Sequence, residues 1–507
     1  MLRNHASIRP DASAIIDERN HRRLTFLELE FASSRAASLL FESGIRAGDR
    51  ALIFCPMSAE LYVILSALFR LGAVAVFLDP SAGREHIEQC CSLMKPSALI
   101  ATAKAHLLRL ISPALRRIPV KFSVGPRLPG AINWSRAEKM RFYADIHSCE
   151  ADAPALITFT SGSTARPKAA VRTHGFLLAQ HRVLERTLRM AAGEINLATL
   201  PVFALANLAS GATSLIPNAD LRFPGRIDAA PVLAHIVRHR PQSAAASPAF
   251  FERLLDLCEM TGEKLSSLRK VFTGGAPVFP RLLQRLARAA PQAEIVAVYG
   301  STEAEPIAEL SYSDVSEQDW SAQMSGRGLL AGRAVAEIDL RIARFDSATF
   351  ESLPPGEVGE ILVSGEHVLK GYLDGEGDAE TKVRLKGRVW HRTGDAGYLD
   401  YGGRLWLMGR SGARIEDSRG ELYPFAVECA ASAFLAARRS ALALHRGRRV
   451  LCVEVEEMSR VEQAALRESL SWASLDEIRL YARLPLDRRH NAKIDYTALG
   501  RLLNQTS

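Results

Sequence analysis

The sequence predicts an α/β protein in two parts. A large N-terminal domain, residues 1–409, is built of mainly parallel sheets flanked by helices and carries a small β-barrel-like subdomain. A small α+β C-terminal domain follows over 410–507. Three observations predict this. Short apolar runs alternate with helical periodicity through the first part of the chain, the pattern of βαβ units. From about Asp339 the texture changes to shorter strands punctuated by glycine turns. Finally, Gly409-Arg-Ser-Gly412 forms a polar, glycine-flanked break, after which strand and helix alternate again over a domain-sized length. A chain of 507 residues is also too long for a single core.

Taken in order, Thr25-Phe-Leu-Glu28 is a capping box opening a helix that runs to Gly44. Ala51 to Cys55 reads as a strand, Ala59 to Leu71 as a helix, Ala73 to Leu78 as a strand, Glu85 to Leu93 as a helix and Ala98 to Ala101 as a strand. Arg117 to Asp152 has little periodicity and is expected to be surface loops. Ala155 to Thr160 reads as a buried strand. Helices are expected over Val232 to Arg238, Ala249 to Cys258 and Arg281 to Ala289. Strands are expected over Ala244 to Ala246, Lys270 to Thr273 and Glu294 to Val298. Three of the apolar strands end in small-residue or hydroxyl-rich loops, and in parallel α/β sheets ligands sit beyond such carboxyl ends. No internal repeat or low-complexity tract interrupts the pattern.

Hydrophobic content of 48% and charged content of 24% are ordinary for a globular protein. Lys and Arg number 64 against 56 Asp and Glu, a net +8. The basic residues read as scattered among acids, with short runs at Arg446 to Arg449 and Arg488 to His490, so solvated faces and anionic small molecules are expected before nucleic acid. The seven cysteines include one close pair, Cys90-Cys91, which fits no metal-ligand spacing, and they are expected to be reduced, buried thiols. The N-terminus has no apolar signal region. The most apolar stretch, Tyr62 to Leu78, is broken by Arg70 and Gly72, so no transmembrane segment and a cytoplasmic location are expected.

The stretch Thr160-Ser-Gly-Ser-Thr-Ala-Arg-Pro-Lys168 follows the Ala155 strand directly. Hydroxyls and backbone N–H groups in a tight loop make a nest for anionic oxygens, and Lys168 adds a mobile positive charge. This is chemistry for a polyphosphate, although no Walker A loop occurs. Further along stand Gly274-Gly-Ala-Pro277, Tyr299-Gly-Ser-Thr-Glu303, Thr393-Gly-Asp395, Gly409-Arg410 and Pro485-Leu-Asp-Arg-Arg-His-Asn-Ala-Lys-Ile-Asp495.

In that order these motifs resemble the AMP-forming adenylating enzymes: acyl-CoA synthetases, peptide-synthetase adenylation domains and luciferases. The resemblance implies ATP and Mg²⁺ as cofactors and a carboxylic acid as substrate. It implies that Thr160, Ser161, Gly162, Ser163, Thr164 and Lys168 cradle the triphosphate, and that Gly275, Ala276, Pro277, Gly300 and Ser301 line the nucleotide site. Tyr299 would stack on adenine. Thr302 would hydrogen-bond phosphate, and Glu303 would hold Mg²⁺. Asp395 would accept both ribose hydroxyls, and Arg410 would reach ribose or phosphate. Lys493 would be the catalytic lysine, offsetting charge between the α-phosphate and the attacking carboxylate. There are departures. Ala165 and Ala169 stand where glycine is common, and strain at Ala165 would cost ~1 kcal/mol if it took φ > 0. Ala492 precedes the lysine, and Gly412 stands at the hinge, where glycine absorbs large dihedral changes.

Leu200-Pro-Val-Phe-Ala-Leu-Ala-Asn-Leu-Ala-Ser-Gly211 and Gly409-Arg-Ser-Gly-Ala-Arg-Ile-Glu-Asp-Ser-Arg-Gly-Glu-Leu-Tyr-Pro424 resemble the β-lactone synthetases of bacterial olefin biosynthesis. The second stretch lacks the Lys-x-x-Gly-x-x-Ile run of CoA-using members, which puts CoA binding in doubt. The resemblance implies adenylation of a fatty or β-hydroxy acid and closure to a β-lactone, with Phe203, Leu205 and Asn207 lining the acyl pocket. A pathway partner that hands over substrate is compatible with it. Two alternatives stay open: an acyl-CoA or acyl-carrier-protein ligase, and an inactive adenylate-binding regulatory protein.

Overall fold

The computed structural model describes residues 1–79, 83–160, 167–345, 349–434, 439–486 and 493–505. Within these the chain is mixed α/β and forms two compact units. The first comprises Met1–Ala219 together with Glu366–Lys382, and the second Asp220–Gly365 together with Val383–Ser507. The boundary expected at 410 falls inside the second unit.

The first unit holds a seven-stranded sheet in the order Ile132–Asn133, Val120–Val124, Ala98–Thr102, Arg50–Phe54, Val74–Phe77, Pro154–Thr160 and Lys168–Thr173. Every pairing is parallel except the last, in which Pro154–Thr160 turns back antiparallel onto Lys168–Thr173. The strands are apolar on both faces because helices cover them. Phe159, Leu99, Val76 and Ala169 share one buried cluster. The helix Ala59–Leu71 follows the expected bounds. The Ser58 hydroxyl caps its start by accepting from the Leu61 N–H, and Gly72, at φ +69, ends it. The expected capping box at Thr25 and Glu28 opens the helix Phe26–Glu42. Four strands that no periodicity predicted also belong here: Ser13–Asp17 pairs parallel with Thr213–Ile216, which pairs with Ile195–Ala198, and Arg22–Thr25 adds antiparallel. The region expected as loops, Arg117 to Asp152, contains the strand Val120–Val124, whose Phe122 is fully buried.

In the second unit, Ser243–Ala246, Lys270–Gly274 and Glu294–Ser301 run parallel in register. The sheet then becomes antiparallel through Ala304–Ser311, Leu329–Ala334, Leu405–Arg410, Arg388–Leu399, Gly359–Gly365 and Ile338–Ala343. A separate sheet of Arg439–His445, Arg448–Glu454 and Glu477–Tyr481 carries the C-terminal helix Tyr496–Gln505 on a cluster that includes Val450, Leu484 and Leu499. The buried helix Pro424–Ala431 joins the two sheets. Its first residue packs against the Cα of Gly409, and Cys429 approaches the Gln323 side chain. Gly412 sits in one 3-10 turn, Ser411–Ala413, without a left-handed φ.

Candidate active site

In the second unit the strands Lys270–Gly274 and Glu294–Ser301 end side by side. Gly274 pairs with Val298, and a Cβ at Gly274 would lie 2.5 Å from the Val298 carbonyl oxygen, so only glycine allows this approach. Gly275 turns away at φ +82 with open space beside its Cα, and Ala276 and Pro277 follow half-buried. The Glu294–Ser301 strand runs three residues past its expected end. Ser301 pairs with Ala304 across a tight hairpin whose two tip residues are Thr302 and Glu303. A Cβ at Gly300 would lie 2.9 Å from the Ala304 carbonyl, which explains glycine inside this hairpin. The Ser301 hydroxyl accepts from the Glu303 N–H at 3.3 Å.

Tyr299 reaches across to Asp395. Its hydroxyl donates to Asp395 Oδ2 at 2.7 Å, and burial, reinforced by the Asp395 charge, holds the phenol well above its ordinary pKa. It is therefore a neutral donor at any working pH. Asp395 lies in the middle of the long Arg388–Leu399 strand, not in a turn. Gly394, at φ +71, and the register shifts around it bulge the strand there, which re-aims the side chain. The N–H of Asp395 donates to the Thr393 hydroxyl at 3.1 Å. Arg410, last residue of the neighbouring strand and opposite Asp395 in register, places Nη1 3.3 Å from Asp395 Oδ1 and 3.0 Å from the Thr393 carbonyl. Three residues from three motifs thus meet around one carboxylate with two acceptor oxygens.

In the first unit, Thr160 ends the Pro154–Thr160 strand and pairs with Lys168, which begins the next. Ser161, Gly162, Ser163 and Thr164, with Ala165, lie outside the described residues. Lys168 is 8% exposed, and its Nζ meets Glu380 Oε2 at 2.7 Å. Gly377, at φ +91, lies against the lysine stem: a Cβ there would be 2.5 Å from Lys168 Cε. The 371–381 segment is held in place by Asp378, which accepts from the Tyr372 N–H at 2.8 Å, and by a bridge between Tyr372 and Ala170. Ala169 sits in extended strand, 1% exposed, so its methyl fills the core and costs no strain. Sequence reasoning did not single out Glu380. It lies 212 positions from Lys168, and its only signal is the Gly371-Tyr372 turn upstream.

The helix Pro201–Ser210 carries the acyl-pocket candidates. Phe203 is 7% exposed, and Leu205 is half-buried. Asn207 is fully buried, and its Nδ2 donates to Asn196 Oδ1 at 3.1 Å and Ser214 Oγ at 3.0 Å, tying the helix to two strands. Its Oδ1 has no partner. Lys493 is half-buried and directly precedes Ile494, whose backbone bridges Leu486. The preceding residues 487–492 lie outside the described ones. Among the described residues no three His, Cys, Asp or Glu side chains cluster as a metal site. Glu303, at the tip of the hairpin, is the carboxylate that could hold a magnesium ion. Five of the cysteines are buried, and Cys55 and Cys149 are half-buried.

The family model described as AMP-binding enzyme matches residues 2–373. The chain is similar to the olefin beta-lactone synthetase of Stenotrophomonas maltophilia (strain K279a), at 33% identity over 93% of this chain and 89% of that protein. It is also similar to the putative acyl-CoA ligase YdaB of Bacillus subtilis (strain 168), at 28% identity over 80% of this chain and 78% of that one. Among solved structures, the anthranilate CoA ligase AuaEII in complex with anthranoyl-AMP superposes with a TM-score of 0.86 at 18% identity, over 99% of this chain and 97% of that chain.

Proposed function

The chain belongs to the AMP-binding enzyme family and is an AMP-forming ligase, and from that premise we propose that it adenylates a fatty or β-hydroxy carboxylic acid with ATP and closes the product to a β-lactone. The observation that carries adenylation is the Asp395 carboxylate, held between the Tyr299 hydroxyl and Arg410. A carboxylate with two acceptor oxygens suits a vicinal ribose diol, and the adjacent tyrosine face suits a purine.

In the proposed reaction a carboxylate oxygen of the substrate attacks the α-phosphorus of ATP, and the bond to pyrophosphate breaks. Lys168 neutralises phosphate charge, Thr302 donates to phosphate, and Lys493 offsets the repulsion between the two anions. Magnesium supplies further charge neutralisation when bound at Glu303. The substrate's own β-hydroxyl oxygen then attacks the acyl carbon. The acyl C–O bond to AMP breaks, the hydroxyl proton passes to solvent, and a four-membered lactone forms. Intramolecular attack gains a high effective molarity, which offsets part of the ring strain. Two features support closure over transfer to a thiol: the 33% identical relative named a beta-lactone synthetase, and the absence of a Lys-x-x-Gly-x-x-Ile run after Gly409. We further propose that residues 410–507 rotate as a unit to deliver Lys493, and that Phe203, Leu205 and Asn207 line the acyl pocket.

Similarity to the Bacillus subtilis putative acyl-CoA ligase favours thioester formation as the second reading. Incubation with ATP, Mg²⁺ and a panel of β-hydroxy acids separates the two. Pyrophosphate release without any thiol, with a lactone identified by mass spectrometry, supports the first. Strict dependence on CoA or an acyl carrier overturns it.

A further inference from the structure

The net charge of the chain is not spread evenly, contrary to the scatter its short basic runs suggest. Residues 103–144 contain nine of the 64 Lys and Arg and one of the 56 acids, Glu138. That segment alone carries a net +8, and the rest of the chain balances at 55 of each sign. The segment lies at one edge of the seven-stranded sheet of the first unit, where it forms the short helices Ala103–His106, Leu108–Ile111 and Pro113–Arg117 and the edge strands Val120–Val124 and Ile132–Asn133. Lys104, Arg116, Arg117, Arg127, Arg136 and Lys139 are all exposed.

Three large apolar side chains stand among these cations: Leu107 is 61% exposed, Leu110 74% and Ile111 52%. The short helices that carry them are tied to each other. Arg116 Nη1 donates to the carbonyls of Arg109 at 3.2 Å and Leu110 at 3.1 Å, pinning one short helix to the next. The same segment borders a hollow of about 610 Å³ lined by Lys121, Arg127 and Arg136. The Arg109 guanidinium extends to Gly130 on its wall.

We propose that this surface docks on a bilayer bearing anionic phospholipid headgroups. Arginine and lysine side chains meet headgroup phosphates, the hollow admits one of them, and Leu107, Leu110 and Ile111 enter the acyl boundary. Charge complementarity selects an anionic partner. The apolar trio, which costs free energy in water and offers nothing to a nucleic acid backbone, selects lipid among anionic partners. No helix among the described residues is long and apolar enough to cross a membrane, and the attachment proposed is to the bilayer surface. The inference is independent of the reaction proposed above.

The test is co-sedimentation of the full chain with vesicles of phosphatidylcholine, alone or mixed with phosphatidylglycerol, from low to physiological salt. The chain sediments with the mixed vesicles only. The variant L107S/L110S/I111S, which keeps every charge, loses at least about tenfold in vesicle affinity. R117E/R127E loses about as much, whereas R446E/R448E, the same charge change on another exposed run, does not. Thermal unfolding midpoints check that each variant is folded, and if the serine variant fails that check the two charge variants decide. No sedimentation with mixed vesicles at low salt overturns the proposal. Equal loss from both charge variants also overturns it, because it would reflect net charge alone. An unchanged serine variant does so too, since the vesicles would then be bound by charge alone, as any polyanion would be.

Discussion

Asp395→Asn tests the assembled site most directly. The substitution keeps the shape of the side chain and its place in the Arg388–Leu399 strand, but removes the charge and turns one acceptor into a donor. Oδ2 accepts from the Tyr299 hydroxyl at 2.7 Å, and Oδ1 faces Arg410 Nη1 at 3.3 Å. Whichever way the amide lies, its NH₂ confronts one of these donors. A hydrogen bond to a charged group is worth about 1.5–3 kcal/mol. The Arg410 pair contributes about 1 kcal/mol or less, because the Arg410 side chain is 53% exposed. If the two ribose hydroxyls use the same oxygens in the nucleotide complex, the asparagine forfeits two charge-assisted bonds there. The loss is about 3 kcal/mol after partial compensation by water, which corresponds to roughly a hundredfold rise in KM for ATP. Acid-dependent pyrophosphate exchange at varied ATP measures it, with the thermal midpoint as the control for folding. A KM for ATP within about threefold of the parent would refute the assignment of Asp395 to the ribose.

Other residues give equally distinct outcomes. Lys168→Ala is expected to lower kcat/KM for ATP by about a hundredfold or more. Glu380→Gln should change it by less than about fivefold, because Glu380 is 61% exposed and its pair is solvent-screened; single-turnover pyrophosphate release compares the two. Lys493→Ala is expected to abolish adenylation while ATP still binds in calorimetry, and unaltered adenylation would exclude its catalytic role. Glu428 is fully buried, and desolvation, opposed by bonds from the Leu442 N–H and the Tyr496 hydroxyl, raises its pKa to about 7. The folded chain therefore holds a proton there that the unfolded chain releases above its ordinary pKa near 4.5. Stability should fall as pH rises through that window and level off above about 7, by an amount on the order of 3 kcal/mol. Glu428→Gln, which keeps the accepting oxygen, should flatten the dependence of the unfolding midpoint on pH, and a profile as steep as the parent's would reject this source.

Much of the scaffold was legible because its signals are local. The capping box at Thr25 and the caps at Ser58 and Gly72 mark helix ends in the residues themselves. The strands Ser13–Asp17 and Arg22–Thr25 were not legible. They are short and pair with chain some 200 positions away or with each other, so no periodicity distinguishes them from loop. At the site, the motifs single out candidate residues but not how they touch. Tyr299 and Asp395 are 96 positions apart, and nothing near Tyr299 announces that its hydroxyl has a carboxylate partner. Asp395 reads as a turn residue because Gly394 precedes it, whereas that glycine serves a bulge within a strand. Glu380 is marked by nothing beyond the Gly371-Tyr372 turn upstream, since its partner is fixed only when the 371–381 segment folds back beside Lys168.

That return of the chain sets an order for folding during synthesis. The first unit is interrupted: Met1–Ala219 is emitted first, and the piece that completes it, Glu366–Lys382, arrives only after the intervening stretch of the second unit. Roughly 150 residues separate the two pieces, which at about 5–20 residues per second is a wait of roughly 7–30 s. Through that interval Lys168, a buried cation in the finished protein, has neither Glu380 nor the Gly377 backbone against it. The nascent first unit therefore exposes an incomplete edge at Ala170 and Phe176, whose cluster is closed by Leu369 and Tyr372. A ribosome stalled between residues 219 and 366 would present that edge to chaperones and proteases, while one stalled far enough past 382 for that segment to clear the exit tunnel would not. Limited proteolysis of chains arrested before residue 366 and of chains arrested far enough beyond Lys382 for the segment to have emerged reads the difference.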